Sequence, residues 1–170
     1  CSRQWGNSIS VKRKKELTGR SWPNGCHVAE VEIDAETGEV RLDRYVSVDD
    51  VGNTVNPMIV HGQVQGGIAS GLGQAVLERT EYDASGQLLS GSYMDYALPR
   101  ADDMPSLSGS LFEKAPCLTN PLGAKGTGEI GAVAGPPAIV HAVIDALAEK
   151  GITQVDMPLQ PQKIWECLNR

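Results

Sequence analysis

"NPLGAKGTGEIGAVAGPP", residues Asn120–Pro137, holds a G-x-G-x-x-G at Gly126, Gly128 and Gly131, and its reading decides between two fold classes. A dinucleotide-binding loop of that form follows a strand directly and opens a helix with its glycines, inside an alternating βαβ chain. Here the preceding "TNPLGAK" is loop chemistry, and the sequence puts the helix start at Gly135–Pro137, where missing proline N–H groups cost least. Glu129 also stands inside the motif, where a carboxylate aimed at a phosphate cradle would repel the ligand. The nicotinamide-binding reading fails on this context.

Downstream, "GPPAIVHAVIDALAEKG" gives a helix with Ile139, Val140, Val143, Ile144 and Leu147 as its apolar stripe and Gly151 as its stop. Upstream, Cys26–Asp34 and Glu39–Asp50 are β-rich runs joined by Asp34–Gly38, a hairpin whose turn uses a positive φ at Gly38. The alternation puts Val28, Val31 and Ile33 on one face, with a slip at Ala29–Glu30, and Val40, Leu42, Val46 and Val48 together on the other strand. Gln63–Glu78 carries a helical stripe of Val64, Ile68, Leu72 and Val76. Its interior glycines each cost about 1 kcal/mol relative to alanine. Close approach of a backbone or a bulky ligand to Gly66, Gly67 and Gly71 would account for them, and so would tight packing in a core.

Leu77–Pro99 suggests a second hairpin turning at Ser85–Gly86, and a short strand follows near Leu107–Glu113. Gln160–Arg170 closes the chain as a helix with Ile164, Trp165 and Leu168 inward. Hairpins beside separate helices predict an α+β fold with mixed sheets, β-hairpins and packed helices.

The 170 residues suffice for one hydrophobic core, and a net charge of -6 speaks against nucleic acid as the partner. The exception, "SVKRKKE" (Ser10–Glu16), lies in an irregular basic N-terminal segment, 1–24, ahead of a domain over 25–170. No apolar run is long enough to span a membrane, and the unpaired spacing of Cys1, Cys26, Cys117 and Cys167 suggests reduced thiols and a cytoplasmic setting. His27, His61 and His141 form no zinc pattern, so no metal site made of protein ligands is expected; His27 reads as exposed and His141 as a core or partner-facing residue. Glu129 itself reads two ways, as a general base held in a glycine frame or as a helix cap or partner of Lys125.

Three blocks, "VGNTVNPMIVHGQVQGGIASGLGQAVLE", "GSYMDYALPRADDMPS" and "NPLGAKGTGEIGAVAGPPAIVHAVIDAL", resemble the C-terminal part of the large, molybdopterin-binding subunit of molybdenum hydroxylases. Xanthine dehydrogenase, aldehyde oxidoreductase and the aerobic carbon monoxide dehydrogenase-like enzymes form that family, and the resemblance is closest to the last branch. It implies molybdenum held by an organic pterin, here as molybdopterin cytosine dinucleotide, rather than by side chains. It implies Glu129 as the general base and Gln63 as a hydrogen-bonding neighbour of the metal centre. Gly66, Gly67, Thr127 and Gly128 would lie along the cofactor, and Lys125 would meet a phosphate or an acidic partner.

The implied activity is oxidation or hydroxylation of a small molecule with water-derived oxygen. The implied partners are the remainder of the large subunit, an iron–sulfur small subunit and an FAD medium subunit. Carbon monoxide, a purine, an N-heteroaromatic or an aldehyde are all open as substrate. The chain is then expected to be a piece of that subunit, unable to hold molybdenum alone and exposing an apolar or glycine-lined docking surface. The competing expectation is a non-catalytic assembly or interaction domain that kept the fold.

Overall fold

The computed structural model describes residues 10–14, 16 and 19–169, so part of the segment 1–24 lies outside the described residues. Strand β1 (Asn24–Ile33) and strand β2 (Val40–Asp50) pair antiparallel around the expected turn. Asp34 makes that turn: its carboxylate accepts from the N–H groups of Glu36 at 2.8 Å and Thr37 at 3.2 Å, and its carbonyl accepts from Gly38 N at 2.7 Å. Gly38 takes φ 76°, as the turn requires.

The faces differ from the sequence reading. Pairing passes from Glu30–Arg44 to Val31–Leu42, which leaves Asp43 as an extra residue on β2. An extra residue inverts the pleat beyond it. Val40 and Leu42 therefore face the core, whereas Val46 and Val48 face outward, 38% and 43% exposed. On β1 the alternation does not slip: His27, Ala29, Val31 and Ile33 face inward and Val28 turns out, 61% exposed.

Polar residues fill the inner face where valines were expected. The His27 side chain, 2% exposed, places Nε2 2.8 Å from Asp49 Oδ1 and Nδ1 2.9 Å from the Tyr45 hydroxyl, and Ser47 Oγ donates to Asp49 Oδ2 at 2.9 Å. A carboxylate only accepts, so Nε2 presents a proton to Asp49, and Nδ1 pairs with the Tyr45 hydroxyl. Burial, with the Asp49 charge beside it, pushes the Tyr45 phenol well above its ordinary range, which keeps the phenol protonated. His27 is thus a buried network member, not an exposed residue.

Helix α1 (Pro57–Leu72) starts six residues earlier than the apolar stripe suggests, because Asn56 caps it and Pro57 opens it. Asn56 Oδ1 accepts from Ile59 N at 3.3 Å. The helix runs on as one π-turn, Gly73–Leu77, so the stripe nearly reaches Glu78 as read. Strand β3 (Leu107–Leu111) returns parallel to β2, giving a mixed sheet in the order β1-β2-β3.

Helix α2 (Ile130–Ala146) corrects the sequence reading most: Pro136 and Pro137 lie inside it, not at its start. Interior proline costs about 3 kcal/mol. Packing offsets this, since the Pro136 ring sits where a Cβ on Gly71 would come within 2.9 Å of its Cδ. Gly151 follows with φ 73° and ends the segment as expected.

Helix α3 (Pro161–Leu168) buries Ile164 completely, but Trp165 is 44% exposed rather than inward. The second hairpin reduces to one bridge, Tyr82–Leu88, around a turn at Asp83–Gly86. Its flanks carry too few apolar residues in alternation to build strands. His141 is exposed.

Leu42, Tyr45, Ile68, Leu72, Ile139 and Val143 center the core between the sheet and the two long helices. Among the described residues, no helix is long and apolar enough to cross a membrane.

Candidate active site

Two G-x-x-x-G pairs bring the site together. A Cβ on Gly67 would lie 2.8 Å from Ala132 N and 2.9 Å from Gly131 Cα, and one on Gly71 would lie 3.0 Å from Gly135 Cα. Gly67 against Gly131 and Gly71 against Gly135 means that α1 and α2 run in the same direction with their backbones nearly touching. One turn back along α1 is Gln63, and just before α2 is Gly128. A Cβ on Gly128 would be 3.6 Å from Gln63 Oε1. The structure thus joins two of the residues the sequence singled out, from stretches far apart in the chain.

The loop before α2 is tied to the end of β2. Lys125 N donates to Val51 O at 2.7 Å, Asn53 N to Gly123 O at 3.0 Å, and Gly52 bridges Ala124. Gly52 has φ 66° and a Cβ there would strike Gly123 O, so only glycine permits this seam. Asn120 Nδ2 adds a 2.9 Å bond to Ala124 O.

Beyond Lys125 the ties to the end of β2 stop. Gly126 has nothing within 4 Å of a Cβ position, and Thr127 Oγ1 is buried with no hydrogen-bond partner. An orphaned buried hydroxyl calls for a partner from elsewhere.

Glu129 is exposed and occupies the N-cap position of α2, yet its side chain makes no cap hydrogen bond. It does not pair with Lys125 either. The Lys125 ammonium donates to Asp50 Oδ2 at 2.6 Å, with the two side chains 11% and 12% exposed. Both structural roles considered for Glu129 are thereby removed. Gly66 differs from Gly67 and Gly71: it is exposed with open space at its Cβ position, so the expected contact for it is not made within this chain.

Asp50 was not found from the sequence, because a partner so distant leaves no local signal. Burial raises its pKa, but the Lys125 hydrogen bond, the Gly52 N–H and the Lys125 charge outweigh burial and hold it below the ordinary carboxylate range. A carboxylate whose folded pKa lies below its unfolded one adds stability that is complete above the unfolded value. That stability is lost as pH falls through the folded value. Asp50→Asn is therefore expected to flatten the acid limb of the stability–pH curve and leave its neutral-to-basic shape alone, as read by thermal unfolding across acidic buffers.

The described cysteines, Cys26, Cys117 and Cys167, are free. Among the described residues, no three His, Cys, Asp or Glu side chains cluster as a metal-ligand set. The polar groups at the loop are instead a hydroxyl, an amide, a carboxylate and glycine backbone, a set suited to hydrogen-bonding a polar ligand rather than to ligating a metal.

The molybdopterin cofactor-binding domain family matches residues 2–105, over half of the chain. The chain belongs to that family. It is 37% identical over 148 residues to the carbon monoxide dehydrogenase large chain of Hydrogenophaga pseudoflava, covering 87% of this chain and 18% of that one. It is 38% identical over 141 residues to the nicotine 6-hydroxylase large subunit of Paenarthrobacter nicotinovorans, covering 83% and 17%. The crystal structure of quinoline 2-oxidoreductase from Pseudomonas putida 86 superposes with a TM-score of 0.83 at 40% identity, over 87% of this chain and 19% of that one. The chain thus spans less than a fifth of the length of each of these relatives.

Proposed function

We propose that this chain supplies the catalytic carboxylate and part of the cofactor cradle of a molybdenum hydroxylase large subunit. The observation that carries the reading is Glu129, free of any cap bond and of Lys125, beside the orphaned Thr127 hydroxyl on the same loop.

When bound, the molybdenum–pterin group supplies the two-electron redox chemistry and the activation of a water-derived oxygen. Glu129 would serve as the general base, its exposed carboxylate being free to accept a proton at this surface. Gln63, brought to the loop by the α1–α2 contact, orients the polar ligand through its amide. Thr127, whose buried hydroxyl has no partner within the chain, would hydrogen-bond the cofactor, and Gly128 would let the ligand approach the backbone. Gly66 would extend the cradle along α1 by its open side, whereas Gly67 is closed against Gly131 and Ala132 and supports the cradle through the α1–α2 contact.

The cofactor is read as molybdopterin cytosine dinucleotide, with electrons leaving to an iron–sulfur small subunit and an FAD medium subunit. The substrate is a small molecule such as carbon monoxide, a purine, an N-heteroaromatic or an aldehyde. The setting is read as cytoplasmic.

Cofactor analysis of the complete complex tests this. Acid hydrolysis is expected to release an oxidised pterin and cytidine monophosphate in proportion to molybdenum. A complex carrying no pterin would overturn the reading and favour an assembly domain that kept the fold. A pterin without cytidine monophosphate would overturn the dinucleotide.

A further inference from the structure

We propose that Lys125 and Asp50 form a positioning strut that sets the height of the Gly126–Gly128 arc, and that Lys125 does not itself contact the cofactor. This rests on the reading of Glu129 and Thr127 given above.

Among the described residues, the arc is anchored at its two ends, and within it Thr127 O accepts only a long 3.4 Å bond from Ile130 N. At its far end Gly131 is pressed against Val64 O and Ile68 N, with no room for a Cβ. At its near end the backbone ties between residues 51–53 and 123–125 finish at Lys125. Between these anchors Gly126 has open space around it and Gly128 meets only the Gln63 amide. The last side-chain attachment before the arc is therefore the 2.6 Å bond from Lys125 to Asp50.

Three features make this a rigid attachment rather than an incidental surface pair. Both side chains are largely buried, at 11% and 12% exposure, where solvent screens little. The carboxylate is held from both sides, since Asp50 Oδ1 accepts from Gly52 N at 2.9 Å. The preceding residue, Asp49, is fixed in turn by His27 and Ser47. The strut thus transmits the position of the sheet to the loop. An ammonium already bonded to a buried carboxylate is also a poor choice for a phosphate, because releasing it would strand Asp50.

The test uses the complete complex carrying Asp50→Asn, Lys125→Met, or both. Each single variant is expected to slow reduction by substrate ~10–100-fold, in line with the effect of small misplacements at a reacting centre. The double variant is expected to be no slower than either single, because the second change removes an interaction already lost. Molybdenum and pterin content should stay at wild-type level. Hydrogen exchange of the 120–129 peptide should quicken ~10-fold or more, while the β1–β2 hairpin keeps its protection.

Loss of cofactor in Lys125→Met with full retention in Asp50→Asn would overturn the strut and make Lys125 an anion contact. Unchanged exchange in the 120–129 peptide would overturn it as well. The exchange readout needs no cofactor, so it stands even if the site reading fails. Failure of the strut alone would leave Glu129→Gln inactive. Should Lys125→Met not accumulate, Lys125→Arg serves: it keeps the charge but changes the reach, and must also quicken local exchange.

Discussion

In the complete enzyme, Glu129→Gln is expected to lower the rate of reduction by substrate at least ~100-fold while molybdenum stays bound, since general-base contributions run to 10²–10⁴-fold. Glutamine keeps the size and some hydrogen bonding but cannot accept a proton. A capping role would predict a different result, a stability loss of about 0.5–2 kcal/mol with turnover per folded molecule unchanged. The geometry already speaks against that outcome: the carboxylate makes no cap bond, and Lys125 is engaged by Asp50. The melting temperature is therefore expected to stay where it is. Molybdenum content, melting temperature and the reductive half-reaction on one preparation decide the matter. Near-normal reduction at full molybdenum occupancy would remove Glu129 from the chemistry.

Alanine substitutions at two adjacent glycines are expected to have opposite effects on stability. Alanine in place of helical glycine ordinarily gains about 1 kcal/mol. Gly66→Ala should gain close to that in the cofactor-free subunit, because its Cβ position is open. Gly67→Ala should instead lose about 1–3 kcal/mol by overpacking, since the added carbon would meet the α2 backbone at 2.8–2.9 Å and no rotamer can relieve it. Gly131→Ala belongs with Gly67→Ala. If Gly66 lies along the cofactor, its alanine variant should also retain less pterin despite its higher stability. Thermal unfolding and pterin content of the four proteins read both effects, and a neutral Gly67→Ala would show that the helices can separate at little cost.

What the sequence revealed and what it concealed follow from the range of the interactions concerned. The hairpin turn was legible because Asp34 and Gly38 act within a few residues of each other. The inversion at Asp43 was not, because Asp43 and Arg44 are both polar and mark no phase. Valines that alternate on paper were then assigned to the wrong face. The start of α2 was misjudged because the local cost of two prolines pointed to a helix opening. What overrides that cost is a notch on α1 at Gly71, which only the tertiary structure supplies. Gln63 and Glu129 stood out through resemblance to a family, whereas their proximity came from the glycine contacts. Asp50 drew no notice, being one acidic residue among many until Lys125 reached it.

The contact between α1 and α2 has a consequence for the order of events as the molecule forms. The β1–β2 hairpin closes between chain neighbours and can do so early, whereas Gly67 meets Gly131 only after a long excursion through β3 and the loop. Contacts of that separation carry the larger closure entropy and form slowly. During synthesis α1 emerges well before its partner, so Ile68 and Leu72 wait uncovered until α2 is complete. The Gly126–Gly128 arc takes shape only when this seam shuts. If the proposed site is right, cofactor loading at this surface is expected to follow closure of the seam, and a mutation that delays closure would lower cofactor occupancy without altering any residue proposed to touch the pterin.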